Sequence, residues 1–275
     1  MKLPARDTLP MNAHRRILSM ALLIMSSLVM TCHADALAIV GDDKAKPKNW
    51  LDSAGQPKGI MIDLLSEVSK RTGIEFTYDL SPWNRALTLS SNGKGAIIGF
   101  SKTAERQQRW DFSEPMYTDE LVIVTTKAKA FDFTGLASLT GKRLAIKKGS
   151  SYGDDFEKAR QNGDIAIVES TDRAGQMRML ELDRVDAVLI SPGRVALETV
   201  IAENEWLQKH RDDFAILQPP YKEDPNYLGI PKSMGKSHLL QDINKALLDM
   251  RKDGTYQTIV DKNIQAVLEQ LTNTR

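Results

Sequence analysis

Gly99-Phe100-Ser101-Lys102-Thr103-Ala104-Glu105-Arg106-Gln107-Gln108-Arg109-Trp110-Asp111-Phe112-Ser113-Glu114-Pro115-Met116-Tyr117 is the stretch from which the rest of the chain is read. The apolar run Ala96-Ile97-Ile98 ends in Gly99, and the chain turns polar at Ser101 and Thr103 before Glu105 and Arg106. This pattern predicts a strand that delivers a hydroxyl and a guanidinium at its carboxyl end. In an open α/β sheet, ligands collect outside the carboxyl ends of the strands, and the planar fork of Arg holds a carboxylate by two charge-assisted hydrogen bonds. The local chemistry therefore points to an anion site. A surface Arg after an ordinary strand is the plainer alternative.

Upstream, Leu37-Ala38-Ile39-Val40-Gly41 reads as a buried strand followed by Asp42, Asp43 and a Lys/Pro-rich loop, and residues 49–57 are turn-rich. Met61, Leu64, Leu65 and Val68 fall at helical spacing and Gly73 closes that helix; Ile74, Phe76 and Tyr78 alternate as a strand. Ser81 is expected as the N-cap and Pro82 as the first residue of a helix carrying Trp83, Arg85, Ala86 and Leu87. Trp83 suits core packing or an apolar wall of a site.

Downstream, strands are predicted over Leu121–Thr126, around Leu144–Ile146, over Ile165–Val168 and over Val185–Ile190. Helices are expected near Tyr152, with Ser151 and Asp154 at capping-box spacing, over Arg173–Leu182, and over Leu239–Asp253 with Gly254 as its stop. The Gly149-Ser150-Ser151 loop would turn backbone N–H groups toward a carboxylate, although capping alone accounts for Ser151. Strands alternating with helices argue for an α/β fold with largely parallel sheets.

The amino-terminal region has the layout of a secretory signal: Arg15-Arg16, an apolar run from Ile17 to Met30, and Ala34-Asp35-Ala36, so residues 1–36 are expected to be a signal peptide cleaved after Ala36 or Ala34. The run falls short of the roughly 20 apolar residues of a membrane span. Met11 is an alternative start. Cys32 is the only cysteine; Thr31 before it does not suit a lipid-attachment site, and its removal leaves a chain with no possible disulfide. Cleavage leaves 239 of 275 residues with 33 basic and 34 acidic side chains, which argues against nucleic acid or a polybasic membrane surface as partner. Export is expected from these features.

The Ser-x-Thr-x-x-Arg…Phe-Ser-x-Pro-x-Tyr pattern at 101–117 resembles the signature of periplasmic solute-binding proteins of the polar amino-acid type, the family-3 extracellular solute-binding proteins. Gly59-x-x-x-Asp63-Leu64 is similar to the family's opening helix, and Asp253-Gly254-Thr255-Tyr256 with Ile259 to its closing pattern, so the resemblance spans about residues 37–265. It implies a two-lobed, hinged binding-protein fold of type II, with 37–118 plus 223–275 as lobe 1 and 119–222 as lobe 2. It also implies a periplasmic monomer that binds an amino acid or related carboxylate and passes it to the membrane permease of an ABC importer. Arg106 would grip the carboxylate, with Gly99, Ser101 and Thr103 beside it, Trp83 as a wall, and Ser150 and Ser151 as the second lobe's share. The chain departs from the family at Ser191, where amino-acid binders carry an Asp for the ligand's ammonium. Either Asp42 or Asp43 takes that role, or the ligand is not a standard amino acid.

The same scaffold also serves exported enzymes of the cyclohexadienyl-dehydratase type and sensing subunits that act with membrane receptors. An enzyme would need a facing acid and base, and Asp42, Asp43, Asp63 and Glu114 read as binding or structural groups. No cofactor is expected: after processing only His210 and His238 remain, with no zinc spacing, no calcium loop and no phosphate loop. Lys44, Lys46 and Lys48 leave an acidic ligand open, a solvated loop being the blander reading.

Overall fold

Besides Met1, the computed structural model describes residues 36–273; the expected leader up to Ala34, with Cys32, lies outside them. β1 (Ala36–Asp42) is followed by three short strands, β2 (Lys44–Ala45), β3 (Asn49–Leu51) and β4 (Pro57–Lys58), which form a small antiparallel sheet. Then come α1 (Ile60–Thr72), β5 (Glu75–Ser81), α2 (Trp83–Ser91), β6 (Ala96–Ser101), the single turn α3 (Ala104–Gln107), β7 (Trp110–Phe112) and β8 (Tyr117–Thr126). The chain continues through β9 (Arg143–Lys147), α4 (Asp154–Asn162), β10 (Ala166–Ser170), α5 (Arg173–Glu181), β11 (Ala187–Ile190), α6 (Gly193–Ala202), α7 (Glu205–Lys209) and β12 (Phe214–Ile216). It ends with β13 (Lys222–Pro231), α8 (Leu240–Lys252) and α9 (Thr255–Asn273).

The large sheet runs β10-β9-β11-β8-β13-β6-β1-β5, with β12 on β8 and β7 on β13. β1 is parallel to β5 and β6, and β9 is parallel to β10 and β11, as βαβ crossovers require. The two long strands between these groups run antiparallel to each other. Tyr117 to Leu121 of β8 pair with Asn226 to Lys222 of β13, and β8 then changes partners to β11 and β12. The apolar residues separate accordingly. One cluster packs Leu37, Ile39, Leu64, Leu65 and Val68 against Ile243, Leu247 and Met250 of α8. Others gather Leu144, Phe156 and Leu189, or Val122, Met177 and Ile201, on opposite faces of the far sheet.

Gly73 closes α1 in the left-handed conformation, φ 78°, with its N–H on Ser69 O, as its position in the sequence predicts. Two capping expectations are corrected. Ser81 is the last residue of β5, its hydroxyl is buried without a partner, and Pro82 holds the N-cap position of α2. The pairing of Ser81 with Asp42 in the β1–β5 ladder keeps it in the strand. Similarly α4 begins at Asp154 with Gly153 as N-cap, and the Ser151 hydroxyl accepts only the Gly153 N–H, at 3.4 Å. A side-chain cap is present on α5, where Asp172 accepts from Ala174 and Gly175 N–H. Asp172→Ala is therefore expected to lower unfolding stability by about 1 kcal/mol, whereas Ser81→Ala should stay within about 0.5 kcal/mol of the parent, both measured by urea denaturation.

Candidate functional site

The carboxyl ends of β1, β6, β9 and β11 converge on a narrow cavity of about 60 Å³. Gly99 adopts φ +69° within β6, a conformation open to glycine, and so turns the end of the strand toward Asn49 and Asn226. Beyond it, Ser101 Oγ donates to Asp224 Oδ2 at 2.6 Å and Ser101 O accepts from Arg106 Nη1 at 2.8 Å. Thr103 caps α3 by accepting the Arg106 N–H at 3.2 Å. The one-turn helix lays the guanidinium over the Phe100 ring, 4.1 Å from its centroid. Its other end donates to Gly149 O at 3.3 Å. Burial, only partly offset by Asp224 and Glu105, lowers the pKa of Arg106 to about 10.

Of the residues singled out in the sequence, Asp42, Lys48, Gly99, Ser101, Arg106, Trp83, Ser150, Ser151 and Ser191 line this cavity. Thr103 and Asp43 do not. Thr103 acts through the cap that positions Arg106, and Asp43 faces an adjoining cavity of about 430 Å³. Trp83 is buried at 7% exposure, walls both cavities, and leaves its Nε1–H without a partner. Asp63 and Glu114 are outside both cavities: Asp63 accepts from Lys262 and Asn263, and the Glu114 backbone N–H donates to Asn244 Oδ1. The Gly-Ser-Ser loop is not a free helix terminus. Asp154, Asp155 and Glu157 occupy the first turn of α4, and Ser150 N–H is spent on Lys147 O.

The sequence reading missed the ion pairs. Lys48 is buried, not solvated, and its ammonium sits between Asp119 Oδ2 and Asn226 Oδ1, the latter at 2.8 Å. Its backbone is anchored by α1, where Met61 N–H donates to Lys48 O and a Cβ on Gly59 would overlap that same oxygen. Ser191 Oγ donates to Asp119 Oδ2 at 2.6 Å. Asp42, buried at the end of β1, accepts from Lys147 at the end of β9, and Arg173 donates to Ser191 O. Burial pushes the Asp42 carboxyl upward, but Lys147 and Arg173 more than reverse this, so it titrates below 3.8. Burial lowers Lys147 and raises Asp224. Lys147 was findable, since it ends a strand as Ser101 does. Asp119 and Asp224 gave no sequence signal because their meeting depends on the β8–β13 register.

Away from the cleft, Glu181, His210 and Asp213 bring one ligand atom each within 4.8 Å of one another, a group that sequence spacing did not reveal. His210 there stacks on Trp206, with ring centroids 4.1 Å apart.

The profile of the bacterial extracellular solute-binding proteins, family 3, matches residues 37–266. The chain belongs to that family. This family-3 protein is 27% identical to the lysine/arginine/ornithine-binding periplasmic protein of Escherichia coli K12, over 90% of this chain and 96% of that protein. It is 22% identical to the L-cystine-binding protein TcyJ of the same organism, over 78% of this chain and 77% of that protein. Among solved structures, an ancestral arginine-binding protein bound to arginine superposes with a TM-score of 0.67 at 27% identity, covering 82% of this chain and 97% of that one. The two-lobed α/β fold and a solute-binding role follow. Among the described residues, no helix is long and apolar enough to cross a membrane.

Two predictions concern the charges of this family-3 cleft. Lys48 and Asp119 are nearly or fully inaccessible, so Lys48→Met or Asp119→Asn alone should lose about 3–5 kcal/mol by stranding its partner, and the double variant should lose far less than the sum of the two in a denaturation cycle. Because the folded Asp42 carboxyl titrates below its ordinary 3.8, its stabilisation is complete above that value and disappears as pH falls through the lower folded one. Asp42→Asn should remove this part of the acid limb in a plot of stability against pH.

Proposed function

We propose that this protein is exported to the periplasm, where as a monomer it captures a small carboxylate-bearing solute and delivers it to the permease of an ABC importer. Arg106 carries the reading. Its guanidinium faces the cavity, rests on Phe100 and donates to two main-chain carbonyls, yet it forms no ion pair among the described residues. A part-buried cation held by neutral acceptors is a strong receptor for a carboxylate, because the anion restores what desolvation removed. Ser101, Ser150, Ser151 and Trp83 complete the wall around it. In this reading residues 37–118 with 223–275 form one lobe and 119–222 the other, and the paired strands β8 and β13 serve as the hinge about which they close.

Binding without chemistry is favoured by the state of the cleft's carboxylates. Asp42 is engaged by Lys147, Asp119 by Lys48 and Ser191, and Asp224 by Ser101, so no free acid and base face one another there. The relatives compared above, by their names, bind amino acids, which supports an amino-acid-like solute. Arg106→Ala should weaken binding of the captured solute at least 100-fold in titration calorimetry while leaving the circular dichroism spectrum unchanged. Undiminished affinity would refute the assignment.

A further inference from the structure

The cleft holds a second guanidinium that, like Arg106, hydrogen-bonds to main-chain carbonyl oxygen rather than to a carboxylate. Arg173, the first residue of α5, lines both the small cavity and the adjoining one of about 430 Å³, and its hydrogen bond goes to a main-chain carbonyl, Ser191 O. It forms no ion pair among the described residues. The carboxylate beside it, Asp42, is hydrogen-bonded to Lys147. Trp83 is buried, lines both cavities, and its Nε1–H has no hydrogen-bond partner among the described residues. Four cations, Lys48, Arg106, Lys147 and Arg173, line the small cavity beside two carboxylates, Asp42 and Asp224; the two lysines pair with Asp119 and Asp42, and Asp224 accepts from the Ser101 hydroxyl. The ammonium that neutralises Asp119 beside Ser191 belongs to the protein's own Lys48, so that position calls for no positive charge from a solute.

We propose that Arg173 is a second acid-binding subsite, so that the solute captured by this cleft carries two carboxylates, one on Arg106 and one on Arg173, with the larger cavity taking the length of the chain between or beyond them. This rests on the reading of Arg106 as a carboxylate receptor and names the substrate class of that same cleft. Neither guanidinium has a carboxylate within ion-pair distance among the described residues, Asp224 and Asp42 acting on them only from farther off, so two anionic groups of a solute match both, whereas a single carboxylate leaves one of them bonded to carbonyl oxygen alone. Asn49 on the same wall has an Oδ1 that is buried and without a hydrogen-bond partner among the described residues, and the class includes amino and plain dicarboxylates.

The test is titration calorimetry with the refolded, solute-free chain. Glutarate, adipate and glutamate are compared with the monocarboxylates butyrate and glutamine, in the parent and in Arg173→Met and Arg173→Lys. At least one dicarboxylate should bind 10-fold or more tightly than either monocarboxylate. Arg173→Met should erase that preference by lowering dicarboxylate affinity at least 10-fold more than monocarboxylate affinity, a split that a merely structural role would not produce, and Arg173→Lys should retain part of it. Equal affinity for glutamine and glutamate, or a dicarboxylate preference that survives Arg173→Met, overturns the second subsite and leaves the role of Arg106 standing. Dicarboxylate binding that is indifferent to Arg106→Ala overturns both. Should Arg173→Met fail to fold, the comparison of mono- and dicarboxylates on the parent chain still decides.

Discussion

Asp119 and Asp224 face each other directly across the β8–β13 ladder, two buried carboxylates on the strands that join the halves of the sheet. Like charges so placed repel, and the pairing can persist only if each is answered. Lys48 answers Asp119 and extends to Asn226 on the partner strand; the Ser101 hydroxyl answers Asp224. Burial still raises the Asp224 carboxyl, with Asp119 adding to it. The rest of the cleft is built around this crossing, because the residues that answer it come from the loop before α1 and from the end of β6. The end of β6 also leads directly to Arg106, the guanidinium of the candidate site.

Buried ion pairs of this kind are weak evidence for net stability, since desolvation removes most of the Coulombic gain. Their effect is on geometry. The buried pair of Lys147 with Asp42, the hydrogen bond of Arg106 to Gly149 O and the exposed pair of Lys46 with Glu203 each tie elements near β1 and β6 to elements near β9 and α6. Such contacts fix which surfaces meet when the cleft is closed, and those made to main-chain carbonyls can be exchanged for a solute's oxygens without stranding a charge. The four cations lining the small cavity therefore divide into two kinds: lysines paired with carboxylates and guanidiniums bonded to main-chain carbonyls.

Arg106, Ser101 and Gly99 were legible because strand, turn and hydroxyl lie within eight residues, and local order alone brings them to one strand end. Helices such as α1 and α8 were legible from 3.6-residue periodicity and from the glycines beyond them. The capping expectations at Ser81 and Ser151 failed for one reason: a hydroxyl before a helix is a cap only if the backbone leaves the preceding element there. Ladder pairing holds Ser81 in β5, while Gly153, at φ +98°, makes the entry to α4 two residues later. Lys48 looked like part of a solvated lysine loop, since nothing near it in sequence shows that Asp119 and Asn226 lie 71 and 178 residues away.

By itself, the sequence determined the α/β class, the strand ends that carry polar groups and the single guanidinium at 106, because each depends on periodicity or on neighbours within a few residues. Tertiary structure decided the charge balance of the cleft. Whether a carboxylate or a cation there is matched or left for a solute depends on the register of β8 against β13 and on how closely β1 approaches β9. Coulomb energy in a buried site varies with distances of a few ångströms between groups far apart in the chain, which local pattern does not encode.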